Sequence, residues 1–170
     1  MPSSTFKRRT TLYSLILALA VFETAFAFTA EFMDGFAPLP FVFGPITGVF
    51  SVLAWVWTSV LLSYNNRPTS DHPLTRARVH IWSMTAFAIA FLACGIMFST
   101  QLPANCNTHR DSDGEAPIWC GIDATVAVLA YSIALLSCAS AFVIRRSTPN
   151  LGKNVCASDK HERIVLDEAA

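Results

Sequence analysis

The chain has 170 residues, 53% of them hydrophobic and 14% charged, with twelve Lys and Arg balancing twelve Asp and Glu. So few charges in so apolar a sequence argue against an ordinary soluble domain and against a surface for nucleic acid. The neutral total conceals a segregation, because almost all charges lie outside four apolar runs.

In chain order, the runs cover residues 12–30, 41–63, 79–99 and 122–144. Each is close to the roughly 20 residues that a helix rising about 1.5 Å per residue needs to cross the hydrocarbon core. Eleven of the twelve Lys and Arg fall in residues 1–11, 64–78 and 145–170, and only Arg110 lies elsewhere. Cytosolic segments retain Lys and Arg, so both termini and the middle segment are expected on the cytosolic side. The connectors 31–40 and 100–121 are then exoplasmic. The expected fold is an all-α integral membrane protein, an antiparallel bundle of four transmembrane helices over residues 12–144. Residues 1–11 form a short cytosolic segment, and the mixed charge of 145–170 suggests a disordered cytosolic tail. Lys7, Arg8, Arg9, Arg76, Arg78, Arg145 and Arg146 make a basic rim, and each gains about 1 kcal/mol from anionic inner-leaflet lipid.

The chain start has a second reading. Lys7-Arg8-Arg9, an apolar stretch and Ala25-Phe26-Ala27 resemble a signal peptide with its cleavage site. The run continues to Ala30, however, and Glu23 is unusual beside such a site, so the first helix is expected to remain.

Helices in lipid associate through close packing, which small residues at four-residue spacing permit. Gly44 and Gly48 in the second run, Ala86, Ala90 and Cys94 in the third, and Ala130, Ala134 and Cys138 in the fourth have that spacing. They are expected to pack within the bundle, with a homo-oligomer seam at Gly44 and Gly48 as the alternative. Pro45 reads as a first-turn proline. Tyr13, Tyr64 and Trp82 are expected at the cytosolic headgroup level and Trp119 at the exoplasmic one, while Trp55 and Trp57 read as packing residues.

Glu23 is the one ionisable residue well inside a run. A charge at mid-bilayer costs about 2.5–3.5 kcal/mol on insertion scales, so such residues face the bundle and find partners. Matching depths along the runs suggests a neutral Glu23 bonded to Thr47 or Tyr131 as a polar lock between helices; a proton or cation site is the alternative. Asp123 falls at the expected start of the fourth helix, where the dipole favours a carboxylate facing headgroups or water.

Cys106 and Cys120 share the exoplasmic connector, the oxidising side, and are expected to form a disulfide worth about 3 kcal/mol. A metal site with His109 is disfavoured for want of a C-x-x-C pair. Cys156 in the tail is a candidate for palmitoylation. Hydroxyls beside the Arg8-Arg9 and Arg145-Arg146 pairs are candidate phosphorylation sites near the membrane. The sequence contains no N-x-S/T acceptor, Gly-rich phosphate loop, H-E-x-x-H or G-x-S-x-G, and its four His read as loop or loop-edge residues. No catalytic residue, cofactor or metal is therefore expected.

Four spans, cytosolic termini, a short first connector, and a loop ending in Trp119-Cys120 before an Ala-rich helix resemble the fungal MARVEL-domain membrane proteins over about residues 11–146. The resemblance implies an M-shaped bundle that acts in membrane apposition, lateral domain organisation or vesicle trafficking, and it carries no catalytic residues. The expected function is thus a non-enzymatic organiser at the plasma membrane or in the endomembrane system. Its expected partners are anionic lipids, sterol-rich domains, other membrane proteins or a second copy of the chain. A small channel or transporter subunit built around Glu23 is the alternative.

Overall fold

The computed structural model describes residues 4–33, 40–65, 76–108 and 116–147. They form four α-helices: α1 (Ser4–Met33), α2 (Pro40–Asn65), α3 (Ala77–Thr108) and α4 (Ala116–Ser147). All four contain an apolar stretch long enough to cross a membrane, the shortest being the 22 residues Phe43–Tyr64.

Three contacts establish direction. Phe28, late in α1, packs on Gly48, early in α2. Cys106, at the end of α3, is bonded to Cys120 near the start of α4. The Tyr13 hydroxyl and His80 Nδ1, 2.9 Å apart, bring the starts of α1 and α3 to one end. The helices therefore run up, down, up, down. The α3–α4 and α1–α2 pairs pack most extensively, α1 also packs against α4, and α2 meets α3 over a smaller area.

The buried positions follow alternating steps of three and four. In α1 they are Arg9, Tyr13, Ile16, Ala20, Glu23, Ala27 and Ala30; in α2 the row runs through Thr47, Ser51, Ala54, Thr58 and Leu61. In α3 it includes Ala77, His80, Met84, Phe91, Cys94 and Phe98, and α4 continues the pattern from Asp123 to Ile144. A repeat of 3.5 residues keeps one seam facing its neighbours only if the helices cross at about 20° in a left-handed bundle. The seam is made of small and polar residues as much as apolar ones. Large apolar side chains point outward instead: Leu135 is 72% exposed, Trp82 67% and Phe142 64%. A surface of that kind is stable where the surroundings are themselves apolar.

The helices are longer than the apolar runs, and several expectations change as a result. Residues 100–121 are not one loop: α3 continues through Pro103 to Thr108, and α4 begins at Ala116. A proline late in a helix removes only the one bond to the carbonyl four residues back, so Pro103 does not end α3. The helix α2 starts at Pro40, which takes the first-turn position and leaves Pro45 in the second turn. Asp123 likewise lies about two turns into α4 and is 2% exposed, buried in the bundle rather than facing headgroups or water. Of the expected disordered tail 145–170, residues 145–147 are the last of α4, and 148–170, with Cys156, lie outside the described residues, as do the segments 34–39, 66–75 and 109–115.

Candidate functional site

The polar groups of the seam are the candidate site, and Glu23 is its deepest member. Its side chain is fully buried, and neither carboxyl oxygen has a hydrogen-bond partner. The expected bonds to Thr47 or Tyr131 are not formed. Thr47 shares a side-chain hydrogen bond with the Cys94 thiol, which itself lies within electrostatic reach of Glu23. Tyr131 is turned to α3, where its hydroxyl is 3.1 Å from the Ser99 hydroxyl and its ring lies against Gly95. The reason is positional: Tyr131 belongs to the α3–α4 interface, and Gly95 leaves the space its ring occupies.

Stepping along the seams from these contacts gives layers about 5 Å apart, since 3.5 residues rise about 1.5 Å each. One layer holds Thr47 and Cys94 with Ala27 and Ala130. The next, toward the start of α1, holds Glu23 and Ser51 with Phe91 and Ala134. Ser137 follows with Ala20 and Ala54, then Thr58 and Ser140 with Ile16 and Met84, then Tyr13 and His80 with Leu61 and Ile144. Arg9 and Ala77 complete that end. On the other side of Thr47 and Cys94, a second apolar cluster of Phe98, Val126 and Ala127 is packed by Phe26 and Phe43.

The two ends differ in charge. Lys7 and Arg8 begin α1, Arg76 and Arg78 flank the start of α3, and Arg145 and Arg146 lie in the last turn of α4, all at the end that holds Tyr13 and His80. The disulfide lies at the opposite end, with 5.1 Å between its Cα atoms. Because both cysteines are helical, it staples the ends of α3 and α4 together rather than holding a free loop against the bilayer.

Arg9 departs from the basic rim, being 2% exposed and close enough to Tyr13 to interact electrostatically. Tyr13 is fully buried rather than at a headgroup belt, its ring stacked on His80 at 6.0 Å between centroids. His80 is a buried helical residue, not a loop-edge one. Trp55 packs against the core as expected, whereas Trp57 is 36% exposed.

Small residues divide. Gly48, Ala130 and Ala134 are inside, and a Cβ at Gly48 would lie 3.0–3.2 Å from the Phe28 ring, a close approach made within the bundle. Gly44 is buried as well. In α3 the expected stripe is displaced: Ala86 is exposed and Ala90 half-buried, while Phe91 is fully buried. The seam that runs through His80 and Cys94 passes between the alanines, and Gly95 supplies the close approach instead. Cys138 also faces outward.

Ser137 stands beside the small residues expected to pack in the fourth helix, whereas Gly95, Ser51, Thr58 and Ser140 were not singled out by composition or hydropathy. The signal that finds them is the three-and-four step taken from Glu23, which reaches Tyr13 and Arg9 in α1 and has its counterpart in Thr47, Ser51 and Thr58 of α2. Among the described residues, no group of three or more His, Cys, Asp or Glu could hold a metal ion. No protein-family profile matches the chain, and neither the curated proteins nor the solved structures contain a significant match.

Proposed function

We propose that this chain is a multi-pass membrane protein, with both termini and the 64–78 segment cytosolic, that organises lipids and neighbouring proteins without catalysing a reaction. A MARVEL-type layout, acting in lateral domain organisation or vesicle trafficking at the plasma membrane or in endomembranes, is part of this reading. The observation that carries it is the inverted distribution of side chains. Large apolar groups such as Leu135, Phe142, Ile89 and Trp82 cover the outside, and small or polar ones fill the seam. The surface offered to partners is therefore the lipid-facing one, bordered at one end by Lys7, Arg8, Arg76, Arg78, Arg145 and Arg146. Such a surface selects lipids by side-chain packing and headgroup charge.

The test is extraction of the full chain in native nanodiscs, with the retained lipids compared with the surrounding membrane. Enrichment of anionic lipids or sterol, reduced when Lys7, Arg8, Arg145 and Arg146 are changed to Gln, is expected. A lipid composition equal to that of the bulk membrane, unchanged by those substitutions, would overturn the reading.

A further inference from the structure

Two contacts fix the register of α3 against α4, the most extensively packed pair. The disulfide sets Cys106 opposite Cys120, and in an antiparallel pair each step back along α3 meets a step forward along α4. Eleven residues back from Cys106 and eleven on from Cys120 are Gly95 and Tyr131, and the Tyr131 ring does lie on Gly95. In a bundle with a 3.5-residue repeat, seven residues return to the same face. The facing lines are therefore Gly95, Ala88 and Ile81 on α3, and Tyr131, Cys138 and Arg145 on α4. A second line on α3, through Ser99, Leu92, Thr85 and Arg78, runs beside the first, and its Ser99 hydroxyl is 3.1 Å from that of Tyr131.

Tyr131 fills the space between the helices on the disulfide side, where its hydroxyl reaches Ser99. Toward the basic end the same lines carry small residues: Ala88 is half-buried, and Thr85 and Cys138 are exposed. Leu92 and Phe142, 48% and 64% exposed, stand beside them. Small side chains between larger ones leave an outward-facing groove from Tyr131 to Arg145, about 21 Å long at 1.5 Å per residue. One leaflet of a hydrocarbon core about 30 Å thick holds an acyl chain of about that length or less. At the mouth of the groove, Arg145 lies opposite Ile81, which is three residues, or about 4.5 Å, along α3 from Arg78. Packed helix axes are about 8–10 Å apart, so two long side chains on these flanks can converge on one group. Both arginines are exposed. The acids among the described residues are Glu23 inside the bundle, Glu31 near the end of α1 and Asp123 near the start of α4, so none of them neutralises this pair.

We propose that the α3–α4 groove holds one anionic glycerophospholipid of the cytosolic leaflet, with its headgroup phosphate between Arg78 and Arg145 and an acyl chain over Ala88 and Cys138 as far as Tyr131. Guanidinium groups bind phosphate through paired N–H donors whose geometry matches its oxygens, and the apolar floor below them takes the chain that a free anion lacks. Charge also selects the lipid over a second copy of the protein, because two copies meeting in one membrane at this groove would set Arg145 against Arg145. The inference rests on the membrane-organising reading, with this end of the bundle cytosolic, and narrows its basic rim to one bound lipid.

The experiment places the full chain in nanodiscs of phosphatidylcholine with a minor share of phosphatidylserine, and native mass spectrometry counts the lipids that stay bound after the surrounding ones are stripped. One retained phosphatidylserine per chain is expected. Arg78→Gln with Arg145→Gln is expected to lower its retention about tenfold, as losing a charge-assisted hydrogen bond does. Cys138→Phe, which fills the groove without changing charge, is expected to lower it by a similar factor. Lys7→Gln with Arg8→Gln removes equal charge from the start of α1 and is expected to leave the retained lipid in place. All of these positions are exposed, so melting temperatures are expected to hold, and the charge pair and the filled groove each decide the matter if the other variant fails to fold. Equal loss from the Lys7 and Arg8 changes would make the rim diffuse and overturn the groove. Displacement of the lipid by soluble glycerophosphoserine would overturn it in favour of a free-anion site, and a dimer lost on Cys138→Phe would give the groove to a second copy. Absence of a retained phosphatidylserine while anionic lipid is still enriched around the chain would sink this inference and leave the membrane-organising reading standing.

Discussion

A methyl group added at position 95 would sit 2.9 Å from the Tyr131 ring, well inside the 3.5–4.0 Å at which carbon atoms attract. The ring's hydroxyl is bonded to Ser99, one turn along α3 from Gly95, so the ring cannot swing away without breaking that bond. Gly95→Ala is therefore expected to destabilise the bundle by about 1–3 kcal/mol, as overpacking does. Gly121, with open space around the same position, is the control: Gly121→Ala is expected to leave stability unchanged or raise it by up to about 1 kcal/mol through helix propensity alone. Thermal unfolding in mild detergent compares the two, and equal melting temperatures would contradict the packing assigned to Gly95. The same reasoning explains why alanine spacing was a poor guide in α3. A stripe of small residues marks where a backbone can approach, but which stripe is used depends on the bulky partner that fills the gap, here Tyr131.

The helices α3 and α4 are joined twice, by packing along their length and by a disulfide between residues 14 apart in sequence. Closing a connection of that length restricts the unfolded chain by about 3 kcal/mol in the chain-entropy argument. Reduction is expected to retard migration on a denaturing gel and to lower the melting temperature. Cys106→Ser and the double change Cys106→Ser with Cys120→Ser should be equally destabilised, because either removes the same bond. Alkylation of both thiols in unreduced protein would show that the bond is absent. The existence and order of the helices were legible from apolar runs, yet their ends were not. Hydropathy reports where lipid contact begins and ends, whereas a helix continues past that point as long as its carbonyls find donors. Prolines 45 and 103 each remove one such bond without ending the helix.

Among the described residues, the Lys and Arg lie at the Tyr13–His80 end of the bundle and the disulfide at the other. Cytosolic segments keep excess Lys and Arg, so a glycosylation acceptor inserted between residues 109 and 115 is expected to be modified during synthesis in microsomes. One inserted between 66 and 75 is expected to remain bare. The opposite pattern would invert the topology proposed for the chain. Because the chain has no native acceptor, each insertion gives an unambiguous mass increase.

Four helices long and apolar enough to span a membrane, and the segregation of Lys and Arg into alternate segments, follow from composition along the chain, since transfer into lipid depends on residue type rather than on contacts. The Cys106–Cys120 pairing followed from that topology once the compartments were drawn. Which face of each helix turns inward did not. In a bundle whose exterior is as apolar as its core, hydropathy carries no information about facing, and the seam is revealed only by what touches what. That is why Arg9 and Tyr13 proved to be interior partners near His80 rather than members of a rim or belt, and why Tyr131 went to Ser99 instead of Glu23. The isolation of the Glu23 carboxyl, and of the buried hydroxyls of Ser51, Thr58, Ser137 and Ser140, exists only once four helices share one register.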